Sequence, residues 1–309
     1  MATKNFAVRV ASVGDLNIPT RLGVMEDWHL GCNDLVSFHT FDPSGFFVGE
    51  LDGEIISHIN AVKYPSHSSF IGAFVVLKEH RGKGYGKQTW DVAWESLDKR
   101  YTIGLDATNK NMVAKYESHG FRPVWNTLMV SLDLQKIIDK ISGVESQPGI
   151  SLKPIKSVDV EKLLVYDTSV FGTPRQSFIE KWINNPGNVG WAAVNEKEDV
   201  TGYAVVRQII ADKGADIQLG MAPLYADDDQ IARALLKVAA ETYQANEAIC
   251  ANKFELFCGD GGSYGRHASQ LMTELEADCF LIGQRMYTGR IPPGRQQTKM
   301  YGIVLPAFD

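Results

Sequence analysis

The stretch from Val75 to Leu97, VVLKEHRGKGYGKQTWDVAWESL, joins an apolar run to an amphipathic one through a segment holding three glycines and the cations Arg81, Lys83 and Lys87. Upstream, Phe70 to Leu77 reads as a buried strand. Downstream, KQTWDVAWESL spaces its apolar residues as a helix does, with Trp90, Val92, Ala93 and Leu97 available for one buried face. The loop therefore lies at a strand-to-helix junction, where the first helical N–H groups lack partners and the helix dipole is positive, so a phosphate is readily held. Gly82, Gly84 and Gly86 permit positive φ and close backbone approach, and the three cations add charge. A solvated basic turn is the alternative. The spacing G-x-G-x-G fits neither the P-loop, G-x-x-x-x-G-K-[ST], nor the dinucleotide fingerprint, G-x-G-x-x-G.

Around this loop the chain of 309 residues has room for two domains of about 150 residues each. With 44% hydrophobic and 22% charged residues it has the composition of an ordinary globular protein. A net charge of −6 argues against broad nucleic-acid or anionic-membrane binding, which needs a positive surface, and suits a cationic or small polar partner. Cys32, Cys250, Cys258 and Cys279 show no C-x-x-C spacing and read as free thiols in a reducing compartment. No apolar run approaches the ~20 residues of a membrane span, and MATKNFAVRVASVGDL lacks a signal-peptide core. A cytoplasmic location is the expectation.

The two halves share one plan. NFAVRVASVGDLNIPTRL and GISLKPIKSVDVEKLLVYD each read as a short strand, a polar turn and a helix. GFFVGELDGEIISHINAV reads as two strands about an Asp-Gly turn, and VGWAAVNEKEDVTGYAVVRQ repeats it with a charged turn. SFIGAFVVLKEHRGKGYGKQTWDVAWESL is matched by ADIQLGMAPLYADDDQIARALLKVAAETY, and YTIGLDATNKNMVAKYESHGF by KFELFCGDGGSYGRHASQLMTELEADCF. LDLQKIIDKISGVESQPG, with its Gly, Ser and Pro, reads as the connector. Where the first copy has EHRGKGYGKQ, the second has LYADDDQIAR, so the anion held by the first loop would be repelled by the second.

Arg81, Gly84 and Gly86 supply the pattern [QR]-x-x-G-x-[GA]. Here the sequence resembles the GNAT superfamily of acyl-CoA-dependent N-acyltransferases, which seat the CoA pyrophosphate on this loop. The resemblance extends upstream to AFVV and downstream to NKNMVAKYESHGF, and is carried by about Val48 to Leu132. Over the whole chain, MAPLYADD and RMYTG resemble segments of two-lobed members of that superfamily. The implied fold is α/β, an α+β mixed sheet in two tandem lobes at 1–140 and 141–309, with the first catalytic and the second degenerate.

Residue by residue, the resemblance implies backbone contacts to acetyl-CoA from Phe74, Val75 and Val76 on a splayed strand, and a pyrophosphate seat built from Arg81, Gly82, Lys83, Gly84, Tyr85, Gly86 and Lys87. Asn109 takes a cofactor contact or else caps the following helix. Tyr116 is the implied proton donor to the departing thiolate, a buried structural tyrosine being the alternative. SFIGAFVV offers no acid as general base, whereas TIGLDAT offers Asp106, which equally suits a cap or a loop brace. Glu26, Asp27 and Trp28 fall at the implied acceptor pocket, where acids draw an amine and the indole forms a wall; a solvated helix face is the alternative. His29, His39, His58 and His119 have no metal spacing and read as structural or exposed. The second lobe either supports the fold or closes the acceptor side, with Glu255 and Asp260 as polar candidates.

The resulting expectation is an acetyl-CoA-dependent N-acetyltransferase acting on a small amine or amino acid through a ternary complex, a monomer with the homodimer as the alternative, and with no metal. A non-catalytic acyl-CoA sensor would keep the loop without needing Tyr116. A protein or peptide N-acetyltransferase would need an open groove.

Overall fold

Asp52 and Gly53 take φ of 50° and 91°. This left-handed pair is the two-residue turn whose twist suits a hairpin, and it joins β2 (Phe46–Leu51) to β3 (Glu54–Tyr64) as the Asp-Gly signal predicts. The structure is a computed structural model that describes residues 5–108, 110–142, 147–210, 218–246, 251–260 and 265–308. The first half also contains β1 (Phe6–Val10), α1 (Asn17–Met25), α2 (Asp34–Phe41), β4 (Ser68–Val76), α3 (Tyr85–Glu95), β5 (Thr102–Ala107), α4 (Lys110–Glu117) and β6 (Arg122–Asp133). After the linking α5 (Leu134–Ile141), the second half repeats that order. It runs β7 (Ser151–Pro154), α6 (Val160–Phe171), α7 (Gln176–Asn184), β8 (Val189–Val194), β9 (Val200–Ile209), β10 (Gln218–Ala226), α8 (Asp229–Gln244), β11 (Lys253–Gly259), α9 (Arg266–Glu274) and β12 (Asp278–Tyr287). A short β13 (Met300–Gly302) follows.

The halves are interlocked. The strands form one mixed sheet in the order β1-β2-β3-β4-β5-β12-β6-β11-β10-β9-β8-β7, so the last strand of each repeat pairs with the fifth strand of the other. β12 lies antiparallel to β5 from Gln284 opposite Ala107 to Tyr287 opposite Gly104, and β6 lies antiparallel to β11 from Asp133 opposite Lys253 to Thr127 opposite Gly259. Each repeat thus covers a hydrogen-bonding edge that the other would otherwise expose.

On one face of the sheet the two halves share a core. Phe38 of α2 stacks on Phe178 of α7 at 4.4 Å and on Phe308 of the C-terminal segment at 3.7 Å between ring centroids. On the other face the cores are separate, with Trp90 and Ala93 of α3 over the first half and Leu235 and Leu236 of α8 over the second. Within α3 the buried face comprises Thr89, Trp90 and Ala93, with Leu97 buried just beyond, while Val92 is exposed, contrary to its expected place in the core. It follows Trp90 by two residues, about 200° around a helix, and so faces water.

Both halves contain a parallel pair of strands that diverges. β4 and β5 are paired only from Ser68 opposite Thr102 to Ile71 opposite Leu105, and just beyond, Ala73 takes φ 45° where the β3 register shifts. β10 and β11 are paired only at Leu219 with Phe254 and Gly220 with Glu255. That second gap is filled by the chain itself. β13 pairs with β10, and Ile303 N–H donates to Phe257 O of β11 at 2.8 Å. The first gap remains open to form the site. Among the described residues, no helix is long and apolar enough to cross a membrane.

Candidate active site

At the open end of β4 the glycine loop adopts the conformation its composition favours. Gly82 and Gly84 have φ of 74° and 85°, and a Cβ at either would meet nothing within 4 Å, so backbone conformation rather than crowding demands glycine there. Gly86 is selected by crowding instead, since its Cβ would stand 3.1 Å from Val76 Cγ2. The first N–H of α3 to reach a backbone carbonyl is that of Gln88, 3.2 Å from Gly84 O. Among the described residues, the N–H groups from Gly82 to Lys87 reach no backbone carbonyl.

The side chains of this loop are held from below. Arg81 donates through Nε to Val76 O at 2.8 Å and through Nη2 to Glu26 Oε1 at 2.6 Å, linking the loop to the expected acceptor segment. Lys83 Nζ donates to Glu79 O at 2.7 Å, Lys87 Nζ pairs with Asp91 at 2.6 Å, and both lysines are exposed. Tyr85 packs its ring on Phe6 at 4.7 Å. Val75 and Val76 remain paired with β3, opposite His58 and Ser57, while the other edge of Phe74–Val76 lies beyond the last residue of β4 that pairs with β5. Asn109 lies outside the described residues.

Between the diverging strands is a cavity of about 440 Å³, within the size range of small-molecule sites. Ile71, Ala73 and Phe74 form one wall and Leu105, Asp106 and Tyr116 the other. It is closed by residues Glu26 to Leu30, by Leu305, Pro306 and Ala307 from the C-terminal segment, and by Met129, Phe257 and Ile282. Glu26, Asp27 and Trp28 are therefore brought to the cavity together with Tyr116 and Asp106. Their segment is braced by the second half. Leu30 O accepts from Ile210 N–H at 2.8 Å, and buried Asp34 pairs with Arg207 of β9 at 2.8 Å. Asp27 and His29 take φ of 59° and 52°, a conformation uncommon for residues other than glycine.

Tyr116 is 7% exposed and lies 5.3 Å from the Trp90 ring. Burial pushes its phenol up to about 12, so it carries its proton throughout the neutral range. Asp106 reaches the cavity wall, but both carboxylate oxygens are occupied. Oδ1 accepts from Thr127 Oγ1 at 2.5 Å, and Oδ2 accepts from Arg285 Nε and Nη2 at 3.0 and 2.7 Å. Arg285 belongs to β12 and lies over the Phe70 ring at 4.7 Å, so this buried pair fastens the exchanged strand to β5. An acid bound in this way is better suited to bracing than to proton transfer. Replacing Arg285 by Met alone is expected to destabilise the chain by about 3–5 kcal/mol in urea, because it strands a buried carboxylate. Adding Asp106→Asn should recover most of that loss and leave an active protein, whereas a folded but inactive double variant would restore Asp106 as a base.

The sequence did not mark every residue at the site. His29 was read as structural or exposed, yet it lines the cavity. The tail residues had no assigned role, although IVLPAF is an apolar run with no helical or strand period to account for it. Of the second-half candidates, Glu255 contacts His29, while Asp260 instead accepts from Asn126 N–H and Nδ2 at 2.8 and 2.6 Å, bracing β6. Among the described residues, no group of three or more His, Cys, Asp or Glu is arranged to hold a metal.

The tail is seated on a glycine. A Cβ on Gly72 would fall 2.1 Å from Ala307 O, and Asn60 Nδ2 donates to that same oxygen at 3.1 Å. Gly72→Val is expected to expel Leu305–Ala307 from the cavity at a cost of about 1–3 kcal/mol. Faster proteolysis at the C-terminus with the rest of the chain folded would register this, and an unchanged cleavage rate would count against it.

A family model described as "Acetyltransferase (GNAT) family" matches residues 15–121, and one described as "Acetyltransferase (GNAT) domain" matches residues 163–251. The chain is 26% identical over 230 residues to holothin acyltransferase of Pseudoalteromonas sp., covering 74% of this chain and 72% of that protein. It is 27% identical over 172 residues to an uncharacterised protein of Caenorhabditis elegans, covering 55% and 53% of the two chains. Among solved structures, a candidate acetyltransferase of Pyrococcus horikoshii superposes with a TM-score of 0.73 at 17% identity, over 98% of this chain and 96% of its own. A tandem GNAT protein from the clavulanic acid biosynthesis pathway superposes with a TM-score of 0.62 at 16% identity, over 94% of this chain and 100% of its own. At these identities the structures speak for the fold.

Proposed function

The chain is a two-lobed member of the GNAT superfamily, an acyltransferase by family, and from that premise we propose that it transfers an acetyl group from acetyl-CoA to the amine of a small molecule or amino acid. The observation that carries this reading is the cavity of about 440 Å³ at the β4–β5 divergence, because it is lined by the end of the strand that leads into the glycine loop and has acids at its wall.

The fit of CoA rests on two features of this chain. The N–H groups from Gly82 to Lys87 are unspent, and with Arg81, Lys83 and Lys87 they form a seat for the pyrophosphate. The edge of β4 at Phe74, Val75 and Val76 lies beyond its pairing with β5, where pantetheine amides would pair with it, while Val76 O stays with Arg81. The bound thioester would supply the acetyl group. Glu26 and Asp27 attract an ammonium, and Trp28 walls it in. Tyr116, protonated at neutral pH, gives its proton to the departing sulfur. Asp106 braces the floor through Arg285.

One site per chain is favoured by what occupies the corresponding places in the second lobe. Asp228 accepts from Ile231 N–H at 3.0 Å, so a carboxylate already caps α8, and β13 fills the gap that β4 and β5 leave open. A small acceptor is favoured over a peptide by the tail closing the cavity. The relative named for acylating holothin supports acyl transfer as the reaction class, without carrying holothin itself to this chain.

Thiol release from acetyl-CoA across a panel of primary amines, amino acids and peptides tests the reading. Release that depends on a small amine supports it. Saturable acetyl-CoA binding with no acceptor-dependent release would favour a sensor, and release with peptides alone would move the acceptor to protein.

A further inference from the structure

His29, between α1 and α2, and Glu255, on β11, come from opposite lobes and meet at the acceptor side of the cavity. His29 Nδ1 stands 2.5 Å from Glu255 Oε2, with side-chain exposures of 11% and 16%. Neither atom has a hydrogen-bond partner, so this close contact of charge is each one's compensation for burial. The imidazole stands edge-on to Phe257 at 6.4 Å, and the histidine is held at φ 52°. A non-glycine residue is strained there, and such strain concentrates at functional sites. Nε2 remains, 3.7 Å from Asp27 Oδ1.

Resting on the acetyl-transfer reading above, we infer that His29 is the catalytic base for the acceptor amine and that Glu255, supplied by the degenerate lobe, is the positioning residue that orients its ring. The substrate ammonium passes a proton to His29 Nε2. The freed lone pair forms the N–C bond to the acetyl carbonyl carbon, the C–S bond breaks with its electrons going to sulfur, and Tyr116 protonates the thiolate. The second proton of the acylated nitrogen then passes to the Tyr116 phenolate, and exchange with solvent removes the one held by His29. The other acids at the cavity are less suited, since Asp106 is held by Arg285, Glu26 is held by Arg81 and the Asp27 side chain is exposed to water. The second lobe therefore completes the chemistry as well as the fold.

Burial pulls the imidazole down and Arg207 on β9 adds to that, but the close carboxylate of Glu255, helped by Asp27, outweighs both and holds His29 above its ordinary 6.5. A base acts when deprotonated, so acetyl transfer should fall as pH drops through a value above 6.5. Glu255→Gln removes the main raising group, so the acid limb moves to lower pH while the plateau rate falls through lost orientation.

The test uses the full chain, acetyl-CoA and the best amine of the panel. His29→Asn is chosen because asparagine tolerates the left-handed conformation, and it should lower kcat by about 10²–10⁴ with acetyl-CoA affinity unchanged. The His29 ring resonance, followed by NMR in the ligand-free chain, should titrate above 6.5 in wild type and lower in Glu255→Gln, in step with the acid limb. A plateau kcat kept by both variants, or an acid limb that stays put while the His29 resonance shifts, would overturn the assignment and leave the pair structural. Wild type that binds no acetyl-CoA would instead bring down the acetyl-transfer reading and this one with it.

Discussion

A chain carrying both Arg81→Glu and Gly84→Glu is expected to bind acetyl-CoA at least about 100-fold more weakly than wild type, by calorimetric titration. Three effects combine. Gly84 sits at φ 85°, where an L side chain costs about 1–2 kcal/mol, so the turn that presents the N–H groups is distorted. The new carboxylates stand where negative charge is wanted, and the one at position 81 also faces Glu26, which now pairs with Arg81 at 2.6 Å. Charge-assisted contacts contribute about 1.5–3 kcal/mol each, so losing two of them corresponds to roughly 10²–10⁴ in affinity. Neither new side chain enters the core, since no atom lies within 4 Å of a Cβ at Gly84 and Arg81 is exposed. Thermal unfolding should therefore remain cooperative. A folded variant that binds acetyl-CoA as wild type does would remove the loop from the site and with it the proposed donor.

The second large effect is expected at Tyr116. Tyr116→Phe should reduce kcat by about 10²–10⁴ and leave the affinity for acetyl-CoA nearly unchanged, because only the proton donor is lost. The ring stays in place against Trp90, 5.3 Å away, so stability should hardly change at neutral pH. At high pH the two chains differ. The phenol is raised from 10 to about 12 by burial, so its protonated form is favoured on folding. That contribution is fully present below about pH 10 and is lost as the pH rises towards 12, a loss the phenylalanine variant lacks. Full kcat in Tyr116→Phe would assign the hydroxyl to structure and turn attention to the sensor reading.

Much of this molecule was legible because it is written locally. The Asp52-Gly53 turn, the left-handed glycines at 82 and 84 and the amphipathic helix that follows are each set by neighbours a few residues away. The internal repeat was legible for the same reason, since each half carries the same succession of short-range patterns. Val92 was misplaced because an apolar residue near the edge of a buried stripe can face either way, and only the packing of α3 on the sheet decides. His29 was overlooked for a different reason. Nothing within its own segment distinguishes it, and its partner Glu255 lies across the chain on the other repeat.

From sequence alone came two αβ repeats, a basic glycine loop in one of them and an acidic replacement in the other, together with the tyrosine and acids that the loop's family resemblance brings to attention. Tertiary structure decided which edges pair and therefore what meets at the cavity. β6 and β12 both read as strands, and period-two alternation does not say whether each returns to its own half or crosses to the other. The exchange puts Arg285 against Asp106, and the joined lobes bring Glu255 to His29 and the tail to Gly72. Strand partners and buried pairs are chosen by the free energy of the assembled sheet and shared core, to which residues more than a hundred positions apart contribute, and no window of neighbouring residues contains that sum.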